Sequence, residues 1–247
     1  MITCALPTYN NSDIIWLQLT ALCNQKDAPD WELIVCEEKS DNYFGRENLL
    51  KFKDKLQKAN CKRIVFIELS EWIPLGQKWI VIRDNMSLDS IGMLLCASDN
   101  YSFETRIKES FEALNSGFDW VQWNKGNFYN ILDHTAGLFS IEENNPALFM
   151  CISKDAIDKV NENVFPKYGV DTWLFTKCEL KNVKYNEFST GIHTDGFNTI
   201  SLKRRFLYTV ETNTGLFEKV DANEVFSLFP KSVQTKLTKL RNANNNN

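Results

Sequence analysis

The chain has 247 residues, a mass of 28.6 kDa and a formal net charge of −4 at neutral pH. This length is enough for one sizeable core, and 43% hydrophobic and 24% charged residues are typical of a soluble globular protein. Because positive and negative side chains are interspersed and the net charge is negative, the composition argues against a nucleic acid as partner.

The seven cysteines are scattered, and none forms a C-x-x-C pair or a Cys/His pair at metal-ligand spacing. We interpret them as reduced core thiols, which predicts a reducing compartment, the cytoplasm. The first residues lead into an apolar strand and show no secretory signal pattern. No apolar run reaches the roughly 18 residues that a membrane helix needs.

The N-terminal half alternates between apolar strands and amphipathic helices. Four short apolar runs predict strands, at residues 2–6, 33–36, 64–67 and 91–97. Helices are predicted from Ser12, over residues 47–59, after Gly76 and from Ser102, with both serines as caps. This alternation predicts an α/β fold with a mostly parallel sheet flanked by helices. Ligands of such sheets bind beyond the carboxyl ends of the strands.

The C-terminal half has a different pattern. Strands are predicted at residues 119–123 and 147–152, and short helices from Ser153 and from about Asp171. Residues 187–201 contain Gly191 and Gly196 and predict a loop. No linker rich in Pro, Gly or Ser divides the chain, so we predict a single domain.

We place this domain at residues 1–217, followed by a helical extension and an Asn-rich tail at residues 218–247. Within the extension, residues 222–241 predict a helix with an apolar face beside several lysines. This helix packs on the domain or contacts a membrane surface or a partner protein; the sequence leaves both open.

Polar segments follow the predicted strands, and four of them carry candidate chemistry. They are Pro7, Thr8, Tyr9 and Asn10 after the first strand, Glu37 and Glu38 after the second, Ser98, Asp99 and Asn100 after the fourth, and Asp171 at a helix start. Each segment alone is also consistent with an ordinary turn, a solvated acid pair or a helix cap. Their order along the chain is the informative feature.

The set resembles family 2 glycosyltransferases of the GT-A fold. In that family a PTYN-like segment, a DDGS-like segment and a DxD motif follow the first, second and fourth strands, and an ED-type motif supplies the base. Gly76, Gln77, Lys78 and Trp79 also resemble a G-x-K-W segment of some members. The resemblance implies a GT-A-type fold and inverting transfer of a sugar from a nucleotide-diphosphate-sugar donor to a hydroxyl of a glycan or other acceptor.

The resemblance also implies a role for each matching position. The donor nucleotide is expected to contact Pro7, Thr8, Tyr9, Glu38, Lys78 and Ser98. Asp99 is expected to bind Mn²⁺ or Mg²⁺, and Asp171 to deprotonate the acceptor hydroxyl. Several positions depart from the pattern. Ala97 replaces the first acid of the DxD motif, Asn100 stands where many members have another aspartate, and Val170 replaces the acid before Asp171. Glu37 and Glu38 are each longer by one methylene than the acids of the DDGS-like segment.

His193 lies in the predicted loop at residues 187–201. Related enzymes often carry a histidine here that closes over the diphosphate, so the resemblance implies that His193 completes the metal coordination. We therefore predict that the loop is a lid, which becomes ordered when the donor binds. The alternative is a histidine with a purely structural role.

Two other functions remain open at the level of sequence. A sugar nucleotidyltransferase shares the α/β layout, but it needs a Gly-rich phosphate loop with a basic residue after the first strand, and residues 7–11 contain neither. A non-catalytic nucleotide- or sugar-binding module of the same fold is consistent with Ala97 in the DxD motif.

Overall fold

The computed structural model describes residues 1–140, 148–161, 165–166, 169–195 and 217–245. The strands are β1 (Ile2–Thr8), β2 (Trp31–Glu38), β3 (Cys61–Leu69), β4 (Gly92–Leu95), β5 (Asn100–Ser102), β6 (Trp120–Asn130), β7 (Thr135–Ser140), β8 (Leu148–Ser153), β9 (Val183–Asp195) and β10 (Phe217–Val220). The helices are α1 (Trp16–Cys23), α2 (Arg46–Leu50), α3 (Lys53–Lys58), α4 (Leu75–Arg83), α5 (Arg106–Asn115), α6 (Lys154–Ile157), α7 (Val170–Lys177), α8 (Ala222–Ser227) and α9 (Lys231–Asn245).

The strands form one mixed sheet in the order β10-β7-β6-β8-β4-β1-β2-β3, and β9 pairs with both β6 and β5. Strands β3, β2, β1 and β4 are parallel, which confirms the predicted α/β class. The remaining half is largely antiparallel, so the parallel part is smaller than predicted. Because β8 is antiparallel to both β4 and β6, β6 runs in the same direction as β1.

Helices cover both faces of the parallel half. Helices α1 to α3 and α5 bury one face around Leu33 and Leu94. Helices α4, α6 and α7 bury the other face around Ile34 and Trp120. Since both faces are covered, every residue of β1 and β2 is buried. The ligand-binding positions of such a sheet are therefore expected at its carboxyl edge and not on its faces.

The C-terminal extension completes the sheet and a third core. Strand β10 pairs with β7, and Val233 and Leu237 of α9 are buried with Tyr101. The Lys236 ammonium lies 3.6 Å from the centre of the Trp16 ring. The apolar face of α9 is therefore packed on the domain, as one of the two sequence alternatives predicted. None of the helices in the described ranges is both long and apolar enough to cross a membrane.

Three predicted helix boundaries are wrong, and two of them fail because a serine hydroxyl is used elsewhere. The hydroxyl of Ser12 bonds to Asn42 instead of capping α1. Ser102 belongs to β5, and its hydroxyl accepts a hydrogen bond from Arg106 at 2.7 Å, so α5 begins at Arg106. The predicted helix at residues 47–59 is interrupted at Lys51 and becomes α2 and α3.

Candidate active site at the carboxyl edge of the sheet

The first part of the site is a buried ion pair beyond the ends of β1 and β2. The Lys78 ammonium of α4 pairs with the Glu38 carboxylate and donates a 2.8 Å hydrogen bond to the Thr8 carbonyl. The centre of the Tyr9 ring lies 5.5 Å from the same ammonium. The Thr8 hydroxyl and Oε1 of Glu38 are buried, and within the described ranges neither has a hydrogen-bond partner. Because buried polar atoms normally have partners, a polar ligand bound beside these two atoms would supply the missing hydrogen bonds.

The neighbouring acid, Glu37, has a different task. Its two carboxylate oxygens accept hydrogen bonds from the backbone N–H groups of Phe44 at 2.9 Å and Gly45 at 3.0 Å. Burial raises the pKa of Glu37, and these two hydrogen bonds oppose the rise. Since successive side chains of a strand point to opposite faces, Glu37 points away from Glu38. Glu37 thus holds the chain that leads into α2, and Glu38 forms the buried ion pair with Lys78.

Asparagine side chains fix the loops that follow β1 and β2. The backbone N–H of Asn42 donates to Oδ1 of Asn10 at 3.1 Å, and its side-chain amide donates to Asp13 at 2.8 Å. Asn10 has a φ of 54°, a left-handed conformation that asparagine tolerates better than most residues. The loop that carries Tyr9 is therefore held against the loop after β2.

Ser98 reaches the same edge from the chain that follows β4. The backbone N–H of Cys96 donates to the Ala5 carbonyl at 2.9 Å, so this chain continues beside β1. The Asn11 side-chain amide then donates to the Ser98 hydroxyl at 2.8 Å. Oδ1 of Asn11 is buried and has no hydrogen-bond partner in the described part of the chain. Pro7 precedes this edge as a buried residue of β1, in register with Cys36.

Asp99 and His193 come together because β5 pairs with β9. Asn100 lies opposite His193 in the antiparallel register. The next residue, Thr194, donates its backbone N–H to the Asp99 carbonyl at 3.3 Å and its hydroxyl to the same oxygen. Oδ1 of Asn100 and Nδ1 of His193 are buried, and no described residue bonds to either atom. This strand pair therefore presents two unpartnered polar atoms beside Asp99.

The predicted lid is wrong over its described part. Residues 187–195 belong to β9, which pairs with β5 and β6, and residues 196–201 lie outside the described ranges. The centre of the His193 ring lies 4.4 Å from that of Phe128. Burial lowers the pKa of His193 to about 4, so its imidazole is neutral at pH 7. His193 is held in position by the sheet and is not delivered by a loop.

Gly191 marks a close approach between strands and not a hinge. A Cβ atom at this position would lie 2.5 Å from the Tyr101 carbonyl oxygen and 2.6 Å from the Phe149 ring. Glycine in a strand is typical of places where another backbone comes near. The absence of a side chain at Gly191 thus permits the pairing that brings His193 to Asn100.

We expect Gly191→Ala to lower the free energy of unfolding by about 1–3 kcal/mol, because the backbone of β5 must move to accept the added methyl group. Urea denaturation measures the change. Leu88→Ala is the control: Leu88 is 97% exposed, and truncation there is expected to change stability by less than about 0.5 kcal/mol. Equal stability of Gly191→Ala and the wild-type protein would show that β9 does not need this close contact.

The carboxylate of Asp171 lies in the first turn of α7, which packs on α4. A Cβ atom on Gly76 would lie 3.3 Å from Val170 and 3.2 Å from Trp173, so the start of α7 rests against the turn of α4 that leads to Lys78. The N-cap of α7 is Gly169 and not Asp171. The carboxylate of Asp171 is therefore not used as the cap of its helix.

The environment of Asp171 changes its acidity. Solvent reaches its side chain, yet loss of hydration to the surrounding protein raises its pKa to about 6. The carboxylate is thus accessible to solvent but less hydrated than that of a free aspartate. A carboxylate whose pKa is raised towards neutrality is suited to accept a proton near pH 7.

The metal predicted at Asp99 and His193 would lie where β5 pairs with β9. Nowhere in the described ranges do three or more His, Cys, Asp or Glu side chains converge as a metal site. Asp99, His193 and the unpartnered Oδ1 of Asn100 nevertheless lie on adjoining positions of one strand pair. Mg²⁺ is typically held by one or two carboxylates together with substrate phosphates, and an imidazole suits Mn²⁺ less well than oxygen. These positions supply one carboxylate, one imidazole and one amide oxygen, so a cation held here would need further oxygen ligands, such as substrate phosphates.

Sequence reasoning missed the residues that hold the candidate site together. Asn42 and Asn11 join the loops after β1, β2 and β4, and Thr194 fixes the backbone of Asp99. Asparagine-rich turns are common, and nothing in their spacing distinguishes these contacts from ordinary turns. The glycine at position 191 was the available signal for β9, because a strand glycine marks close backbone approach.

Neither the known protein-family profiles nor the curated protein sequences include a match to this chain. Solved structures do match it. TarS (residues 1–349) from S. aureus has 15% sequence identity and a TM-score of 0.58, over 78% of this chain and 60% of TarS. The chain therefore spans about 60% of the length of that structure.

A second match is glucosyl-3-phosphoglycerate synthase from Mycobacterium tuberculosis, crystallised with Mn²⁺, UDP and glucosyl-3-phosphoglycerate. It has 12% identity and a TM-score of 0.51, over 90% of this chain and 86% of that one. The complex of the same enzyme with Mn²⁺, UDP-glucose and glycerol 3-phosphate has 13% identity and a TM-score of 0.51, over 79% and 72% of the two chains. These likenesses show that the chain has the GT-A fold.

Proposed function

We propose that the protein is a glycosyltransferase that moves a sugar from a nucleotide-diphosphate-sugar donor to an acceptor hydroxyl. The observation that carries the proposal is the arrangement at one edge of the sheet. Thr8, Asn11 and Glu38 have unpartnered buried polar atoms near the ends of β1 and β2. Lys78 of α4 bonds to Thr8 and Glu38, and α4 packs on the helix that carries Asp171. The GT-A fold supports the same conclusion, since matching structures were crystallised with UDP or UDP-glucose.

The donor nucleotide is assigned to the ends of β1 and β2, which we call the donor pocket. The unpartnered Thr8 hydroxyl and Glu38 oxygen supply hydrogen bonds to polar edges of the nucleotide. Lys78 fixes the orientation of Glu38, and the half-exposed Tyr9 ring offers a flat apolar surface for a base or ribose. Ser98 and the end of β1 continue this surface towards Asp99.

The diphosphate is assigned to the strand pair β5–β9. Asp99 and His193, with the amide oxygen of Asn100, would hold Mn²⁺ or Mg²⁺ there; the cation supplies positive charge that stabilises the departing diphosphate. The low pKa of His193 keeps its imidazole neutral and able to act as a ligand. The matching synthase from M. tuberculosis was crystallised with Mn²⁺ and UDP, which supports this assignment.

Asp171 is assigned the role of general base. Its carboxylate accepts the proton of the acceptor hydroxyl, the hydroxyl oxygen forms a bond to the anomeric carbon, and the bond from that carbon to the diphosphate oxygen breaks. Attack opposite the leaving group inverts the configuration at the anomeric carbon. Because the base must be ionised, the pKa of about 6 leaves most of the protein active at pH 7.

Asp99→Ala is expected to remove the dependence of donor binding on the cation. Calorimetric titration with UDP should give a tighter Kd with Mn²⁺ than without it for the wild-type protein, and equal values for the variant. The control is Asp155→Ala, which removes an exposed carboxylate from α6 and should keep the wild-type response. An unchanged Mn²⁺ effect in Asp99→Ala would remove Asp99 from the metal site.

The second candidate function is a non-catalytic binding module of the same fold, because Ala97 replaces an acid of the DxD motif. Donor turnover distinguishes the enzyme from this module. A thermal-shift screen of nucleotide sugars with and without Mn²⁺ first identifies the donor, because a ligand that binds the native state raises its stability. The identified donor is then incubated with the protein and Mn²⁺. Release of the nucleotide diphosphate supports the transferase, whereas binding without release supports the module.

A further inference from the structure

A chain of side-chain amides lies on one face of β6. The indole N–H of Trp120 donates to Oε1 of Gln122 at 2.7 Å, and the Gln122 amide donates to Oδ1 of Asn124 at 3.2 Å. Trp120 and Gln122 are fully buried, and Asn124 is half-buried. The three residues alternate along the strand, so their side chains share one face. The chain thus runs from the interior towards the carboxyl edge of the sheet.

The direction of the hydrogen bonds is fixed at its buried end. An indole nitrogen can only donate, so the oxygen of Gln122 must face Trp120 and its NH₂ group must face Asn124. The oxygen of Asn124 is in turn occupied by that NH₂ group. Because its oxygen faces Gln122, Asn124 ends the chain with its own NH₂ group directed away from Gln122. The chain ends in an oriented pair of donors.

This donor pair lies on the same side of the sheet as Asp171. Trp120 packs edge-on against Phe175 of α7, with ring centres 5.2 Å apart. Asn124 lies four residues beyond Trp120, roughly 13 Å further towards the carboxyl edge. Asp171 lies four residues before Phe175, about 6 Å nearer to the start of α7. The start of α7 faces the first turn of α4. Both groups are thus displaced in the same direction from the Trp120–Phe175 contact.

We infer that Asn124 binds the acceptor, donating hydrogen bonds to a hydroxyl oxygen next to the one that Asp171 deprotonates. The inference rests on the proposed glycosyl transfer and names its acceptor class, a sugar or other polyol. The two N–H donors of the neutral Asn124 amide match the neutral hydroxyl oxygens of such a molecule. The buried indole of Trp120 fixes the orientation of the amides and so prevents a flip of the Asn124 side chain. Asn124 is a positioning and specificity residue of the acceptor, outside the donor pocket.

The test compares Asn124→Asp with Asn127→Asp. The first keeps an oxygen for Gln122 and replaces the donor pair by an acceptor, whereas the second makes the same change at a half-buried position of β6 in register with Ile192. Glucose, mannose and glycerol serve as acceptor probes, with the donor that the thermal-shift screen selects. We expect Asn124→Asp to raise the acceptor KM roughly tenfold or more, with donor hydrolysis in the absence of acceptor unchanged. Asn127→Asp should behave as wild type.

A second measurement needs no turnover and also covers a variant that folds poorly. The side-chain ¹⁵N–¹H resonances of Asn124 are followed in the wild-type protein, loaded with the donor's nucleoside diphosphate, as each probe is added. A saturable shift of these resonances supports the inference. Transfer to a probe without such a shift, or with an unchanged KM in Asn124→Asp, would overturn it and leave the proposed function intact. A wild-type protein that neither binds nor turns over any donor would overturn both.

Discussion

Asp171→Asn is expected to lower the turnover of glycosyl transfer by ~10²–10⁴, with donor affinity nearly unchanged. Asparagine keeps the shape of the side chain but cannot accept the proton of the acceptor hydroxyl. The N-cap of α7 is Gly169, so the substitution does not remove the helix cap. Initial rates at saturating donor and calorimetric donor titration measure the two quantities separately.

The pH dependence of kcat/KM is a second test of Asp171→Asn. In the proposed mechanism Asp171 acts as a base only when it is ionised, and its pKa is raised to about 6 by loss of hydration. The kcat/KM of the wild-type protein should therefore fall about tenfold per pH unit below pH 6 and level off above it. The remaining activity of Asp171→Asn should lack this step.

Thr172→Ala is the matched control, because Thr172 is the exposed neighbour of Asp171 in the same helical turn. It should retain the wild-type rate and pH profile. Near-normal transfer by Asp171→Asn would contradict the assignment of the base and require another carboxylate near the donor pocket.

Lys78→Met is expected to lower the free energy of unfolding by about 3–5 kcal/mol, because it leaves the buried carboxylate of Glu38 without its cation. The side chain of Glu38 is 1% exposed and that of Lys78 is 6% exposed, so water cannot replace the lost partner. The variant also loses the hydrogen bond from the ammonium to the Thr8 carbonyl. Urea denaturation at pH 7 measures the change in stability.

A double-mutant cycle separates the ion pair from the packing of the methylene groups. Glu38→Leu combined with Lys78→Met replaces both charges by apolar side chains and should recover most of the lost stability. Its donor affinity should stay low, since the proposed pocket has lost the Glu38 oxygen. A double variant that is no more stable than Lys78→Met would show that the two charges do not depend on each other.

The strand ends show how far the sequence could predict the site. The run from Pro7 to Asn10 was placed at the end of the first strand from the apolar residues before it, and Thr8 lies there as the last residue of β1. The same reasoning placed Glu38, Ser98 and Asp99 at the carboxyl edge. It could not predict that Glu38 pairs with Lys78, because the partners are 40 positions apart and meet only when α4 packs on the sheet.

His193 shows why the predicted lid failed. Its segment contains glycine and polar residues, which along the chain are typical of a loop. In the fold the same segment lies between β5 and β6. Its backbone N–H and C=O groups form hydrogen bonds with the backbone of these two strands. Gly191, one of the glycines on which the loop prediction rested, allows β5 to come within contact distance. Strand partners that are distant in sequence leave no periodic signal.

The sequence by itself determined the α/β class, the strand-end positions of the polar segments and the resemblance to family 2 glycosyltransferases. These follow from local patterns: buried apolar runs, helical spacing and the residues that end strands. Three features required the folded structure: Glu38, and not Glu37, pairs with Lys78; β9 brings His193 to Asn100; and Asp171 has a raised pKa. Pairing, burial and hydration depend on atoms that are far apart along the chain, so the folded arrangement alone sets them.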